Sequence, residues 1–327
     1  MKRSMIAALV LSLVLTVLLP AAALADSLRV AVVQPLTHTS LNQIRDTIIS
    51  ELQNSGIEFE IIARNAEGDS SALSTILENV RNDGVDILVP IATNTAQSAK
   101  MVFEDAGVPV VFAAVSDPVA AGLTGEDSFF ITGVSNNIPA AEIVKLISDF
   151  QPDYKKIGFL YTSSETNSVS TINAAKAYCD ANGIAYEEVS IANLSELQTA
   201  VETLVSRDVD ALYTGNDNSI ASAMSTYIDV AYEYGIPVYC GADSMVADGG
   251  FATIGVDYVQ LGGQVAGIVE RIAGGEQPAD IPYETLSDYA RFVNLQAADR
   301  IGIEVPEDVL AAYNVLVEAD GTSHFGE

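Results

Sequence analysis

The sequence has no tryptophan, two cysteines and two histidines, and its 15 lysines and arginines are outnumbered by 44 aspartates and glutamates. Each shortage excludes something. With only His38 and His324 present, and His324 in the terminal stretch GTSHFGE, no histidine-based metal site is possible. A net charge of −29 leaves no basic footprint to displace counterions, so neither nucleic acid nor an anionic membrane surface is expected as a partner. No Gly-x-Gly-x-x-Gly follows the first strand-like run, no Gly-x-x-x-x-Gly-Lys-[Ser/Thr] cradles a phosphate, and no Gly-x-Ser-x-Gly marks a nucleophile elbow. Cys179 lies in the helix-like stretch NAAKAYCDANG with no histidine nearby, which disfavours a cysteine hydrolase. Cys179 and Cys240 form either one disulfide or two buried thiols, and the sequence leaves that open. No catalytic residue, metal or cofactor is expected.

What is present is apolar and ordered. Half of the 327 residues are hydrophobic, enough for one large domain or two lobes. Lys2 and Arg3 precede an apolar run from Met5 to Leu19, and Pro20 leads to Ala23-Leu24-Ala25, a small-x-small cleavage signal. Export is expected, to a periplasmic or extracellular location, with cleavage near Ala25/Asp26. The run is short for a spanning helix, and no cysteine stands at the cleavage site to carry a lipid.

Beyond the leader, apolar runs of four to seven residues alternate with helix-period segments: LRVAVV then SLNQIRDTIISELQNSG, VDILVPIA then TAQSAKMVFEDAG. That rhythm predicts an α/β fold of parallel sheets covered by helices. The order then repeats. Arg29 and Gly56 map onto Lys156 and Gly183, Val85-Asp86 onto Val209-Asp210, Gly107 and Pro109 onto Gly235 and Pro237, and Gly133-Val134 onto Gly255-Val256. A period this long is no solenoid and fits two copies of one Rossmann-like lobe. The equivalent ITGV and TIGV strands mark two places where the chain crosses between lobes, near Ser135-Asn136 and near Gly255-Val256.

In both halves a buried strand ends in a polar cluster. Ligands of open α/β sheets sit outside the carboxyl ends of strands, where helix N-termini favour anionic groups. Thr93, Asn94 and Thr95 stand at such an end, as do Thr37-His38-Thr39 and Ser116-Asp117. By the repeat, so do Asn167-Ser168, Asp217-Asn218 and Asp243-Ser244. Each cluster alone also reads as a helix N-cap. Together they would line an interlobe cleft from both sides, where small ligands bind.

FAAVSDPVAAGL after VPVV, ITGVSNNIP, LYTSSETNS and PVYCGADSMVADGGFATIGVDYVQLGGQVAG resemble the tryptophan/tyrosine-type ABC transporter substrate-binding proteins, over about residues 28–315. The resemblance implies the type I periplasmic-binding-protein fold. Its two lobes, 28–134 with 257–283 and 137–254 with 289–317, would be joined by a three-crossover hinge, leaving a tail over 318–327. The third crossing, near Tyr283–Tyr289, rests on the resemblance alone. A monomeric clamp that closes on a small molecule and presents it to an ABC permease is implied, with an aromatic amino acid as the favoured ligand. On that reading Thr93, Asn94, Thr95 and Ser116 donate to a carboxylate. Asp217 and Asp243 accept from an ammonium group, and Asn167, Ser168 and Asn218 complete the shell. His38, Phe112, Tyr213 and Tyr258 are candidates to stack on a ring, or else core. The family pattern has an acid where HTSLN has Asn42. The alternatives are a ligand-sensing binding protein for a receptor or regulator, an importer component for a different ligand, and an exported enzyme. The last lacks any nucleophile, base or metal constellation.

Overall fold

The computed structural model describes residues 27–325. The export signal expected over residues 1–25 lies outside them. Among the described residues no helix is long and apolar enough to cross a membrane.

The first half runs β1 (Leu28–Gln34), α1 (Thr39–Asn54), β2 (Phe59–Asn65), α2 (Ser70–Asn82), β3 (Ile87–Pro90), α3 (Thr93–Phe103), β4 (Val110–Ala113) and β5 (Ile131–Ser135). The second runs α4 (Ala140–Phe150), β6 (Lys156–Thr162), α5 (Thr166–Asn182), β7 (Ala185–Ile191), α6 (Leu197–Val205), β8 (Ala211–Thr214), α7 (Asn218–Ala221), α8 (Met224–Glu233), β9 (Val238–Cys240), α9 (Asp243–Ala247) and β10 (Ala252–Val256). After these come α10 (Tyr258–Ala273), β11 (Glu284–Thr285), β12 (Tyr289–Asn294), α11 (Leu295–Ile301), α12 (Glu307–Leu310) and β13 (Asn314–Val317).

The strands form two sheets, in the orders β11-β5-β4-β3-β1-β2 and β13-β12-β10-β9-β8-β6-β7. Position for position, β2, β1, β3, β4 and β5 in one match β7, β6, β8, β9 and β10 in the other, so the internal repeat is a repeat of topology. Val30–Val33 and Ile87–Val89 are almost wholly buried, with successive side chains entering cores on opposite faces of the sheet. Fully buried strands of a helix-covered sheet are for this reason continuous apolar runs. Ile44, Ile48 and Leu52 of α1 pack with Leu261 and Val265 of α10 in the same core, each burial contributing roughly 1.5–3 kcal/mol.

The chain changes sheet between β5 and α4, between β10 and α10, and between β11 and β12. Glu284 and Thr285 pair with Val134 and Ser135, so the first sheet reaches two residues past 283. One strand departs from the expected parallel order: β12 runs antiparallel to β10. The reason is the third crossing. β10 runs toward the hinge and leaves the sheet there, whereas β12 starts at the hinge and runs away from it.

The two equivalent glycines differ in what surrounds them. A Cβ on Gly133 (φ +154°) would strike the Phe112 carbonyl and ring, whereas one on Gly255 meets nothing nearer than the Asp243 nitrogen at 3.9 Å. Gly133→Ala should therefore cost about 1–3 kcal/mol and Gly255→Ala less than about 0.5 kcal/mol. Urea denaturation midpoints of the two variants test this, and equal midpoints would refute it.

Cys179 in α5 and Cys240 in β9 are buried free thiols and form no disulfide. Burial pushes the Cys179 thiol up to about 11, which makes it inert.

Candidate functional site

The carboxyl ends of the two sheets face each other, and side chains meet across the gap. His38 Nε2 lies 3.2 Å from Asn218 Oδ1, and the Ser40 and Ser244 hydroxyls are 2.5 Å apart. Asn94 Nδ2 donates to the Ser164 carbonyl at 3.2 Å, Thr166 Oγ1 to Gln97 Oε1 at 3.2 Å, and Ser170 Oγ to Asp117 Oδ2 at 2.9 Å. The lobes are drawn together.

Between them lies a tight cavity of about 30 Å³, well below the ~300–1,000 Å³ of small-molecule sites. Lobe 1 supplies His38, Ser40, Leu41 and Ile44 from the start of α1, and Ala114 and Ser116 from beyond β4. Asn136 and Tyr258 come from the hinge crossings. Lobe 2 supplies Asn167 from α5, Asn216, Asp217, Asn218 and Ala221 around α7, and Ala242 and Met245 around α9. A wider groove of about 580 Å³ lies beside it, walled by Pro35–Thr37, Ala92 and Asn94 on one side and by Ser164, Glu165, Asn193 and Ser219 on the other. Asn218 borders both spaces.

Six sequence candidates line the cavity: His38, Ser116, Asn167, Asp217, Asn218 and Tyr258. Asn94 faces the wider groove instead. Thr93 and Thr95, in the first turn of α3, lie off the cavity wall, with hydroxyls buried and unpartnered. Ser168 is fully buried and donates to Asp217 at 2.7 Å. Asp243 heads α9 beside the wall and accepts from the Ser244 N–H. Phe112 and Tyr213 are core.

Asp217 has no oxygen to spare. Its Oδ2 accepts from the Thr162 N–H at 2.6 Å and the Ser168 hydroxyl, and its Oδ1 from the Thr162 hydroxyl at 2.9 Å and the Ile220 N–H at 2.9 Å. It caps α7 and ties it to β6.

Sequence reasoning missed Ser40, Asn136, Asn216, Met245 and, most consequentially, Glu165. Glu165 is 4% exposed and accepts the Asn218 N–H (2.9 Å) and side-chain amide (2.8 Å), together with the Ser219 N–H (2.8 Å) and hydroxyl (2.7 Å). The signal was an acid at a strand end, in SSETNS.

Two carboxylates are thus buried side by side, and among the described residues neither is ion-paired to a lysine or arginine. Burial, and next the charge of Glu165, push the Asp217 carboxyl up. Burial alone pulls the His38 imidazole down, against the opposing pull of its Asn218 bond and of Glu165. Asp243 is pushed up to about 6, chiefly by burial.

The last shift makes a stability prediction. A carboxyl raised on folding is penalised above its folded pKa, and the penalty fades as pH falls from about 6 toward the unfolded value near 4. Asp243→Asn should then stabilise the ligand-free protein by on the order of 2–3 kcal/mol at pH 7.5 and by nothing near pH 4. Melting curves at the two pH values check it, and a gain independent of pH would show that burial of charge is not the cause.

Close approach of backbones shapes the lobe 2 wall. A Cβ on Gly241 would strike Gly215 and Asn216, so only glycine lets the ends of β8 and β9 approach this closely. In lobe 1, Ala92 (φ +71°) and Ala114 (φ +56°) end β3 and β4 in left-handed backbone that alanine rarely adopts. Strain of this kind gathers at ligand sites.

A model of the family described as "ABC transporter substrate binding protein" matches residues 29–316. The chain belongs to the ABC transporter substrate-binding protein family. The family is one of binding proteins rather than enzymes, whose members take up small molecules and work with ABC permeases. This substrate-binding protein is 29% identical over 272 residues to the "Tyrosine-binding protein" of Clostridioides difficile, covering 81% of this chain and 78% of that one. It is also similar to the ABC domain in complex with L-Trp from Streptococcus pneumonia, with 32% identity and a TM-score of 0.83 over 89% of this chain and 99% of that one. A ligand-free, open substrate-binding protein from Clostridium difficile gives 29% identity but a TM-score of 0.66, over 88% and 98%. At near-equal identity the score falls against the open neighbour, as it should for a substrate-binding protein whose lobes touch. The fold is that of type I periplasmic binding proteins.

Proposed function

We propose that this protein is the extracytoplasmic solute-binding component of an ABC importer and that it captures an amino acid, aromatic ones favoured, by closure of its lobes. The observation that carries the ligand class is the buried carboxylate pair Glu165 and Asp217, without a protein cation, against the cavity wall. Buried charge is costly unless offset; the carboxylate oxygens are filled by protein donors, so a ligand ammonium group would offset that charge from the cavity without touching it. The other end of a zwitterion also finds a place. α1 opens on the cavity with no side chain capping its first turn, and α3 is likewise uncapped; uncapped N–H groups favour a carboxylate. Leu41, Ile44, Ala221 and Met245 offer an apolar wall for the side chain, and methionine sulfur suits an aromatic ring. The names of the tyrosine-binding relative and the L-Trp complex agree with this reading.

A thermal-shift screen of residues 26–327 against amino acids, nucleosides, sugars and small amines tests it, because a ligand that binds only the folded state raises stability by RT ln(1 + [L]/Kd). Shifts with tyrosine, tryptophan or phenylalanine are expected. Shifts confined to sugars or nucleosides would overturn the ligand class.

A further inference from the structure

We propose that His38 is a specificity-determining residue: Asn218 and Glu165 fix its tautomer across the closed cleft, so that its Nδ1 accepts a hydrogen bond from the ammonium group of the ligand. The inference rests on the reading of a cleft-bound amino acid and names the atoms that read its nitrogen.

Both Glu165 oxygens accept backbone N–H groups, from Asn218 and Ser219, so the Asn218 amide turns its Nδ2 toward Glu165, at 2.8 Å. Its Oδ1 then faces His38 Nε2, at 3.2 Å. An amide oxygen cannot donate, so Nε2 carries the proton. Burial holds the ring neutral, which leaves Nδ1 with a bare lone pair. That atom is buried, has no partner, and belongs to a ring on the cavity wall.

A second acceptor is set in the same way. Asn167, a residue of the cavity lining, turns its Nδ2 to the Asn216 carbonyl and to Glu165, at 3.4 Å from the latter, and its Oδ1 is buried without a partner. His38 belongs to lobe 1 and Asn167 to lobe 2. An ammonium group, with three donors, fills both and bridges the lobes. Glu165 stands behind both amides and biases both acceptors toward a cation, which makes it a positioning residue. When the lobes part, Asn218 and Glu165 stay together in lobe 2 and His38 leaves with lobe 1. The His38 acceptor is therefore aligned with that of Asn167 only in the closed protein.

Two substitutions separate the functions of the ring. His38→Gln keeps an amide N–H near the Nε2 position and loses the acceptor at Nδ1. His38→Asn keeps an acceptor near Nδ1 and loses the bond to Asn218. Calorimetry with L-phenylalanine, 3-phenylpropanoate (no ammonium) and phenethylamine (no carboxylate) should show His38→Gln losing about tenfold or more for the two amines. Its affinity for 3-phenylpropanoate should stay within about twofold of wild type, and His38→Asn should fall between wild type and His38→Gln for the amines. Nitrogen-15 NMR of histidine-labelled protein is simple, since only two histidines are present; the His38 ring should show the Nε2–H tautomer in the ligand complex. Equal losses for all three ligands in both variants, or an Nδ1–H tautomer, would overturn the inference. Binding of phenethylamine through His38 without binding of any amino acid would instead overturn the amino acid reading and leave His38 as the reader of a cation.

Discussion

Asp217→Ala is expected to destabilise the ligand-free protein by about 3 kcal/mol or more, read from chemical denaturation. Alanine strands four buried donors at once: the Thr162 N–H and hydroxyl, the Ser168 hydroxyl and the Ile220 N–H. Each unsatisfied donor costs roughly 1–3 kcal/mol, though local relaxation recovers part of that. One effect opposes the loss. Burial and Glu165 already push the Asp217 carboxyl up, so removing its charge relieves some strain. Asp217→Asn separates the two effects, because it sheds the charge and keeps one acceptor. Its loss should be near 1 kcal/mol. Wild-type stability in Asp217→Ala, with weaker ligand binding alone, would make Asp217 a direct ligand contact and refute its role as the cap of α7.

Glu165→Gln should act on affinity. The isosteric amide removes the one charge that stands behind both Asn218 and Asn167. Affinity for an aromatic amino acid should fall by about 2–3 kcal/mol, the scale of a hydrogen bond to a charged group, or roughly 30- to 150-fold. An analogue without the ammonium group should bind the variant at least as well as wild type. Calorimetry on the pair of ligands decides it. Parallel losses for both would mean that Glu165 only shapes α7, whose first N–H groups it also holds.

The lobed topology was legible because apolar runs at equivalent places in two halves fix which strands are central, and ITGV and TIGV each end where the chain leaves its sheet. The direction of β12 was not, since it depends on where the third crossing enters the sheet rather than on any property of YARFVN. In the site, the strand-end rule brought His38, Ser116, Asn167, Asp217 and Asn218 to one cavity. It could not tell a wall from a foundation. Asp217 sits on the wall with its oxygens turned to Thr162 and Ser168, about fifty residues away in the chain. Glu165 has the converse history. In SSETNS it reads as a residue before a helix, and its nearness to Asn218 and Ser219 exists only because β6 lies beside β8.

The seam across the cleft is a row of separate polar pairs, from Asn94–Ser164 to Ser40–Ser244. Water replaces each partner when such a pair parts, so each is worth only about 0.5–1.5 kcal/mol net. A seam of that kind keeps time poorly on its own. Lobe rotations fall in the microsecond-to-millisecond range, and the residence time of the cargo is then governed by the cargo's own bonds to the two lobes. Release to a membrane partner needs only the loss of those bonds, because the seam itself holds little back.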